Sequence, residues 1–308
     1  MINLKVQYMM NIFTKTTLFA ALAALSFTAS AQDRADLLWV AGDATPWGWN
    51  LDEASCLVAT PENASVFKGT LYLKADQSFK FLTKFDWGNE ELRATAADAR
   101  PDSDGKVALA RVSGDDNDFK ILVGESANYL ITVDTEAMTA LFVKSAYQDT
   151  PINFSAVFMV GDPTPNGWDL DKGMTLRQNA DAPYEFTADH ANLKTGDFKL
   201  YFAMKAARSW NSKYFYFRDP ADAGKMITGS ADDTKWNIET EGVYNVTANT
   251  KDNTISIASA GSDGISSVVA DTTTKAVYYN MQGLRVDTPA SGQLLIKVQG
   301  GKAKKIVF

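Results

Sequence analysis

Two tryptophans and a lysine occur twice in this chain in the same order: Trp49, Lys80 and Trp87, then Trp168, Lys199 and Trp210. Together these residue types can hold a sugar. The C–H faces of a pyranose ring are apolar and stack on an aromatic plane, while its hydroxyls need convergent donors and acceptors. In Phe79-Lys80-Phe81 the period of two puts the aromatics on one side of a strand and the lysine on the other. Trp87 follows the end of that strand, where a loop can expose it, and Lys205 and Arg208 stand near Trp210. Each residue also has an ordinary reading. Trp49 and Trp168 could plug a core, and Lys80 and Lys199 could be solvated strand lysines. Their coincidence in both copies favours binding. Trp47 is replaced by Asn166 in the second copy, so the fold does not demand it. Trp236 alternates with Ile238 and reads as core.

The elements that must position these residues are themselves duplicated. "WVAGDATPWGWN" (39–50) returns as "FMVGDPTPNGWDL" (158–170), with Gly42, Asp43, Thr45, Pro46, Gly48 and Trp49 repeated 119 positions later. Phe79-Lys80 recurs as Phe198-Lys199 at the same offset, and "GDDNDFKI" (114–121) as "ADDTKWNI" (231–238) at an offset of 117. "ESANYLITVD" (125–134) matches "ETEGVYNVTA" (239–248). A drifting offset is what loop insertions in two copies of one fold produce. Short alternating segments separated by Gly, Asn, Asp and Pro fill the first copy, about seven in all, and no window has a sustained helical period. The expected fold is therefore all-β: two tandem immunoglobulin-like antiparallel β-sandwich modules plus a small C-terminal β unit. The boundaries read as 32–146 and 155–260 for the modules, 147–154 for a linker around Pro151, and 261–308 for the tail. In that tail "YNMQGLRV" and "GQLLIKV" read as hairpin arms.

Bulk properties narrow the function. Lys5 and Lys15, the apolar run Leu18–Phe27 and Ala29-Ser30-Ala31 read as a signal peptide over residues 1–31, cleaved before Gln32. That run is too short for a stable membrane anchor, and no transmembrane segment is expected in the mature chain. The formal charge is −7, and removing the two lysines of residues 1–31 makes it −9, a sign that disfavours nucleic acid and anionic membranes. With His190 as sole histidine, a multi-histidine zinc site is excluded. Cys56, the sole cysteine, cannot form an internal disulfide or serve as a lipid-bearing first residue, and reads as a small buried hydrophobe. Asp102, Asp104, Asp115, Asp116 and Asp118 contain a fragment of a calcium-loop spacing without its distal glutamate, and read as solvated loop acids. No pair of carboxylates stands in a context that marks a glycosidase.

The order Trp, "FKF" and a second Trp seven residues past the lysine resembles the glycogen- and starch-binding modules, including those of AMP-activated kinase β subunits. In those modules two tryptophans and the lysine contact the glucan, and Trp49, Lys80 and Trp87 match them residue by residue. The second copy departs, with eleven residues between Lys199 and Trp210. The "GDATPxGW" opening, "FKF…W" and "W-x-I…G-x-Y" signals, over residues 38–257, are similar to the SusE/SusF family of Bacteroidetes outer-membrane starch-binding proteins. That resemblance implies non-catalytic capture of starch or another polysaccharide at the cell surface or outside it, without cofactor or catalytic residue. Outer-membrane glycan-uptake or secretion machinery would be the protein partner. Members of the family are usually lipoproteins, and this chain lacks the lipobox. Its tail, with "VYYNMQGLRV", "SGQLLIKV" and "GKAKKIVF", resembles the C-terminal sorting domains of type IX secretion cargo. A structural or adhesive surface protein on the same fold stays open as an alternative, as does a glycosidase or its accessory.

Overall fold

The computed structural model describes residues 36–113, 120–230, 232–260, 276–280, 285–286, 288–299 and 302–308. The leader, Asp115, Asp116, Asp118 and Phe119 lie outside the described residues. The chain is all-β. It divides into a body ending at Ala260 and a separate unit from Gly261 onward.

In the first repeat the strands are β1 (Leu37–Gly42), β2 (Ser55–Ala59), β3 (Val66–Leu73), β4 (Ser78–Leu82), β5 (Glu91–Ala94), β6 (Lys106–Val112), β7 (Ile121–Leu122), β8 (Ala127–Asp134) and β9 (Thr139–Lys144). They pair antiparallel in the order β1-β2-β3-β8-β9-β6-β5-β4, and β4 returns to β1, so the two layers are continuous at both edges. The second repeat copies this strand for strand: β10 (Ala156–Gly161), β11 (Met174–Asn179), β12 (Ala182–Leu193), β13 (Gly196–Tyr201), β14 (Phe215–Arg218), β15 (Met226–Thr228), β16 (Trp236–Ile238), β17 (Gly242–Asn249) and β18 (Thr254–Ser259). Among the described residues its ring closes through the bridge Lys225–Thr254.

Strands β2 and β5 carry no alternation that marks them in the sequence. Ser55–Ala59 is buried along its whole length, so it has no polar alternation to reveal it, and Glu91–Ala94 hides two charges.

The repeated Gly-Asp-x-Thr-Pro turn is built by a close approach. A Cβ on Gly42 would lie 2.2 Å from the Ser78 carbonyl oxygen and 2.3 Å from Phe79 Cα, and Gly161 meets the Asp197 oxygen at 2.2 Å in the same way. Both glycines hold φ at +149°, a region closed to other residues. The Thr45 hydroxyl donates to the Gly42 carbonyl at 2.8 Å, and Thr164 to Gly161 at 2.9 Å. This turn carries the chain off the first strand and delivers Trp49 or Trp168 directly after Pro-x-Gly. Gly161→Ala should lower stability by about 2–4 kcal/mol, since backbone rather than a flexible side chain blocks the methyl group. Chemical denaturation of that variant measures it.

Three cores result. Phe79, Phe81, Leu92, Ile131 and Phe142 fill the first repeat, and Leu176, Phe186, Phe198, Trp236 and Val246 the second. A third core lies between the repeats: Leu37, Trp39, Ala41, Cys56, Val58 and Leu82 pack with Ala156, Phe158, Val160, Tyr201, Phe215 and Phe217. Strands β1 and β10 are buried on both faces, which is why "LLWVA" and "AVFMV" are unbroken apolar runs. Polar contacts reinforce this seam. Tyr72 N–H donates to the Ile152 carbonyl at 2.8 Å, Asn128 Nδ2 donates to the Tyr147 and Thr150 carbonyls at 2.7 and 2.8 Å, and Trp47 Nε1 donates to Asn153 at 3.2 Å. The Tyr184 hydroxyl of the second repeat donates to the Thr150 carbonyl at 2.9 Å, so residues 147–154 are pinned to both repeats, with Trp47 holding them on the first side.

Glu53 belongs to the same seam. The Tyr214 hydroxyl donates to it and Lys213 pairs with it at 3.0 Å. The Tyr214 hydrogen bond first, and Lys213 after it, hold the Glu53 carboxyl below its ordinary 4.5. Its stabilising contribution is full above the unfolded-state value and is lost as pH falls through the lowered folded-state value. Melting temperatures recorded from pH 6 to pH 3 should therefore fall less steeply for Glu53→Gln than for the parent.

The C-terminal unit is a three-stranded sheet of β19 (Val277–Tyr279), β20 (Leu294–Gln299) and β21 (Lys302–Val307), with β20 central. "GQLLIKV" therefore pairs on both sides, and Tyr279 bridges Arg285 within "YNMQGLRV".

Candidate functional site

The structure brings all six sequence-predicted residues into two matching constellations. In the first repeat the Trp49 and Trp87 rings lie 6.1 Å apart, inclined by 46°. In the second, Trp168 and Trp210 lie 6.2 Å apart, inclined by 51°. Trp87 and Trp210 are 42% and 46% exposed, far more than buried aromatics of a core, while Trp49 and Trp168 are half-buried against the inter-repeat seam. Lys80 Nζ sits 5.7 Å from the Trp49 ring and 5.4 Å from Trp87; Lys199 Nζ sits 5.8 Å from Trp168 and 5.0 Å from Trp210. Each site is a pair of tilted aromatic faces with an ammonium group at its base.

The structure excludes one of the readings open to the lysines. They do point away from the Phe79/Phe81 core, as the alternation requires, but the face they reach is closed rather than solvated: Lys80 is 7% exposed and Lys199 6%. The reason lies within each repeat: Trp49, Trp87 and Glu91 close over Lys80, and Trp168, Trp210, Phe215 and Phe217 over Lys199.

A buried ammonium needs a counter-charge, and the repeats supply it differently. Lys80 pairs with Glu91 at 2.8 Å, and Glu91 also accepts from Arg93 Nε at 2.6 Å. In the second repeat the positions of Glu91 and Arg93 on the neighbouring strand hold Phe215 and Phe217, as the β4–β5 and β13–β14 registers show. Lys199 Nζ there lies 5.0 and 5.3 Å from those two rings and pairs with Asp233 at 2.7 Å. Cation–π contact replaces part of an ion-pair network. The Asp233 carboxyl is held below its ordinary range by Lys199 first and then Lys235. Sequence reading missed Glu91, Arg93, Phe215, Phe217 and Asp233, because no local pattern marks a residue that meets a lysine across a strand ladder. Lys120 was also missed; its Nζ lies 5.2 Å from the Trp49 ring.

The eleven-residue spacing of the second repeat has a structural cause. The four extra residues form a one-turn helix, α1 (Met204–Ala207), bracketed by Ala203 at φ +51° and Trp210 at φ +55°. Left-handed backbone at a tryptophan is strained by ~1–3 kcal/mol. That backbone returns the ring to the place Trp87 occupies in the first repeat, stacked on Phe215 at 5.3 Å and 9°. Trp168 is steadied by Nε1–H donation to Asp162 at 2.8 Å.

Other sequence candidates fall to structural roles. Trp236 is buried and stacks on Phe198 at 5.6 Å, and Cys56 is buried in the seam. Asp102 Oδ1 accepts from the backbone N–H of Asp104 and Lys106, both at 2.9 Å, so it closes a turn. Among the described residues no cluster of three His, Cys, Asp or Glu could hold a metal, and no helix is long and apolar enough to cross a membrane.

Comparison with protein-family models and with curated proteins finds no match. Among solved structures the chain is similar to the crystal structure of SusF from Bacteroides thetaiotaomicron, at 22% identity, covering 73% of this chain and 48% of that one, with a TM-score of 0.28. The chain thus spans about half the length of that protein.

Proposed function

We propose that this chain is a non-catalytic polysaccharide-binding protein that captures starch-type α-glucan through Trp49, Lys80 and Trp87 in one repeat and Trp168, Lys199 and Trp210 in the other. The observation that carries this reading is the rebuilt second pair. An inserted helix and a strained backbone separate Lys199 from Trp210, the flanking charges are replaced by phenylalanines, and yet the two pairs agree to 0.1 Å in spacing and 5° in tilt. A scaffold has no need to conserve an exposed ring in that way. Tilt bears on the ligand class. Successive residues of an α-1,4-glucan turn relative to one another and suit inclined faces, whereas a flat β-1,4 ribbon suits coplanar ones.

Stacking and a few hydrogen bonds on an open surface give modest affinity at each site, and a polymer that engages both gains avidity of about 10²–10⁴-fold. The protein acts at or outside the bacterial outer membrane after export, with the tail of residues 261–308 as its sorting unit.

Affinity electrophoresis tests the assignment. The chain from Gln32 onward, with Trp87→Ala and Trp210→Ala, is run through gels holding amylopectin, glycogen, dextran or no glycan. Retardation by amylopectin and glycogen that falls in each variant and vanishes in the double variant is the expected result. Equal mobility in every gel, from folded protein, overturns it; retardation by dextran alone overturns the starch assignment.

A further inference from the structure

The insertion that displaces Trp210 does something the first repeat lacks. Lys205 and Arg208, on and just after α1, reach two aspartates in equivalent positions, each three residues after its repeat's tryptophan. Lys205 pairs with Asp52 of the first repeat at 2.8 Å, whereas Arg208 Nε donates to Asp171 of its own repeat. Both cations also lie over the Phe85 ring, at 5.7 and 5.9 Å. The consequence is an asymmetry between the two candidate sites. Beside the second aromatic pair stands an open cleft of about 330 Å³, lined by Trp168, Asp169, Leu170, Asp171, Arg208 and Trp210.

Resting on the glycan-binding reading above, we propose that Arg208 is a specificity-determining residue of the second site, where it hydrogen-bonds a vicinal diol of the sugar stacked on Trp168 and Trp210. An arginine anchored through Nε keeps its two Nη groups as a planar fork of donors, whose spacing matches two adjacent oxygens. Asp171 and Phe85 fix that fork from two sides, so little side-chain freedom is lost when sugar binds. On the cleft wall Asp169 pairs with Lys172 at 3.2 Å and Asp171 with Arg208, so the charges there are balanced and a neutral diol suits the cleft better than a carboxylate. Asp171 is a positioning residue. The first site has no such wall, since its equivalent aspartate, Asp52, is taken by Lys205.

The test uses the full chain carrying Trp87→Ala, so that binding reports the second site, titrated calorimetrically with maltoheptaose. Arg208→Ala in that background should weaken binding about tenfold or more, the loss of a charge-assisted hydrogen-bond pair. Arg208→Lys should not restore it, because a point charge lacks the fork. Lys205→Ala, which opens the contact between repeats without touching the cleft, should bind as its parent does. Thermal melts confirm that each variant is folded. Arg208→Ala binding within twofold of its parent overturns the proposal, and so does an equal loss from Lys205→Ala, which would place Arg208's effect in the seam. Arg208-dependent binding of polygalacturonate overturns the neutral-diol assignment. A folded Trp87→Ala parent that binds no glucan overturns the underlying reading along with it.

Discussion

Glu91→Ala should cost about 3–5 kcal/mol of folding stability, the largest loss expected from a single polar substitution in this protein. Glu91 is the carboxylate between two buried cations: Lys80 and Arg93 pair with it at 2.8 and 2.6 Å, and all three side chains are less than a tenth exposed. Removing it takes from two buried cations the carboxylate they share, where water cannot follow, and the cost lies in their desolvation rather than in the lost attraction. The second repeat shows another way to solve the problem. Phe215 and Phe217 occupy the positions of Glu91 and Arg93, and Lys199 lies against both rings. The double variant Glu91→Phe/Arg93→Phe should therefore recover most of the loss, since it removes one charge and gives the other an aromatic surround. Urea denaturation decides it, with midpoints compared at unchanged m-value. A double variant no more stable than Glu91→Ala would show that the counter-charge, and not the total buried charge, governs this site.

Phe158→Ala should destabilise the body by about 3–5 kcal/mol, and both repeats should lose structure in the same transition. Phe158 lies on the face of β10 turned to the seam, 5.2 Å from the Tyr201 ring, and belongs to the core that both repeats share. A cavity there weakens the first repeat as much as the second, because neither buries that face by itself. Residues 36–146 produced alone would expose Trp39, Cys56, Val58 and Leu82 together, an apolar patch that drives self-association. Thermal unfolding of parent and variant, followed by tryptophan fluorescence and far-ultraviolet circular dichroism, should give coincident curves. Two resolved transitions, or a monomeric first repeat that melts where the whole chain does, would show the seam to be incidental. The expected coupling also bears on binding. Two sites on one shared core keep a fixed separation, so avidity depends on whether a glucan presents epitopes at that span, rather than on the reach of a linker.

Much of this was legible in the residues themselves. The repeat at an offset of 119, the alternation in Phe79-Lys80-Phe81 and the loop position of Trp87 were enough for an all-β duplication with two tryptophan–lysine–tryptophan sets. Those signals are local: a period of two states which face a side chain takes, and a repeated Gly-Asp-x-Thr-Pro turn states where the next tryptophan emerges. The Gly-Asp-x-Thr-Pro stretch recurs because that turn must approach β4 or β13 too closely for any side chain at Gly42 or Gly161.

What the alternation could not state is what lies on the far side of a face. The unbroken runs "LLWVA" and "AVFMV" held the one available hint, since a strand apolar on both sides is buried on both sides. Only the tertiary structure decided that the second neighbour of β1 and β10 is the other repeat, and that side chains of its own repeat close over each of Lys80 and Lys199. Glu91, Phe215 and Asp233 meet those lysines across ladders and loops 11 to 34 residues away, a distance over which no sequence period operates. The eleven-residue gap before Trp210 read as a departure from the pattern, and folding made it α1 and a left-handed turn that restores the ring. Sequence by itself determined which residue types face which way along each strand, because backbone geometry alone enforces it. Their neighbours, pairings and exposure came from packing strands and loops within each repeat and one repeat against the other, which depends on contacts the chain makes only once it is folded.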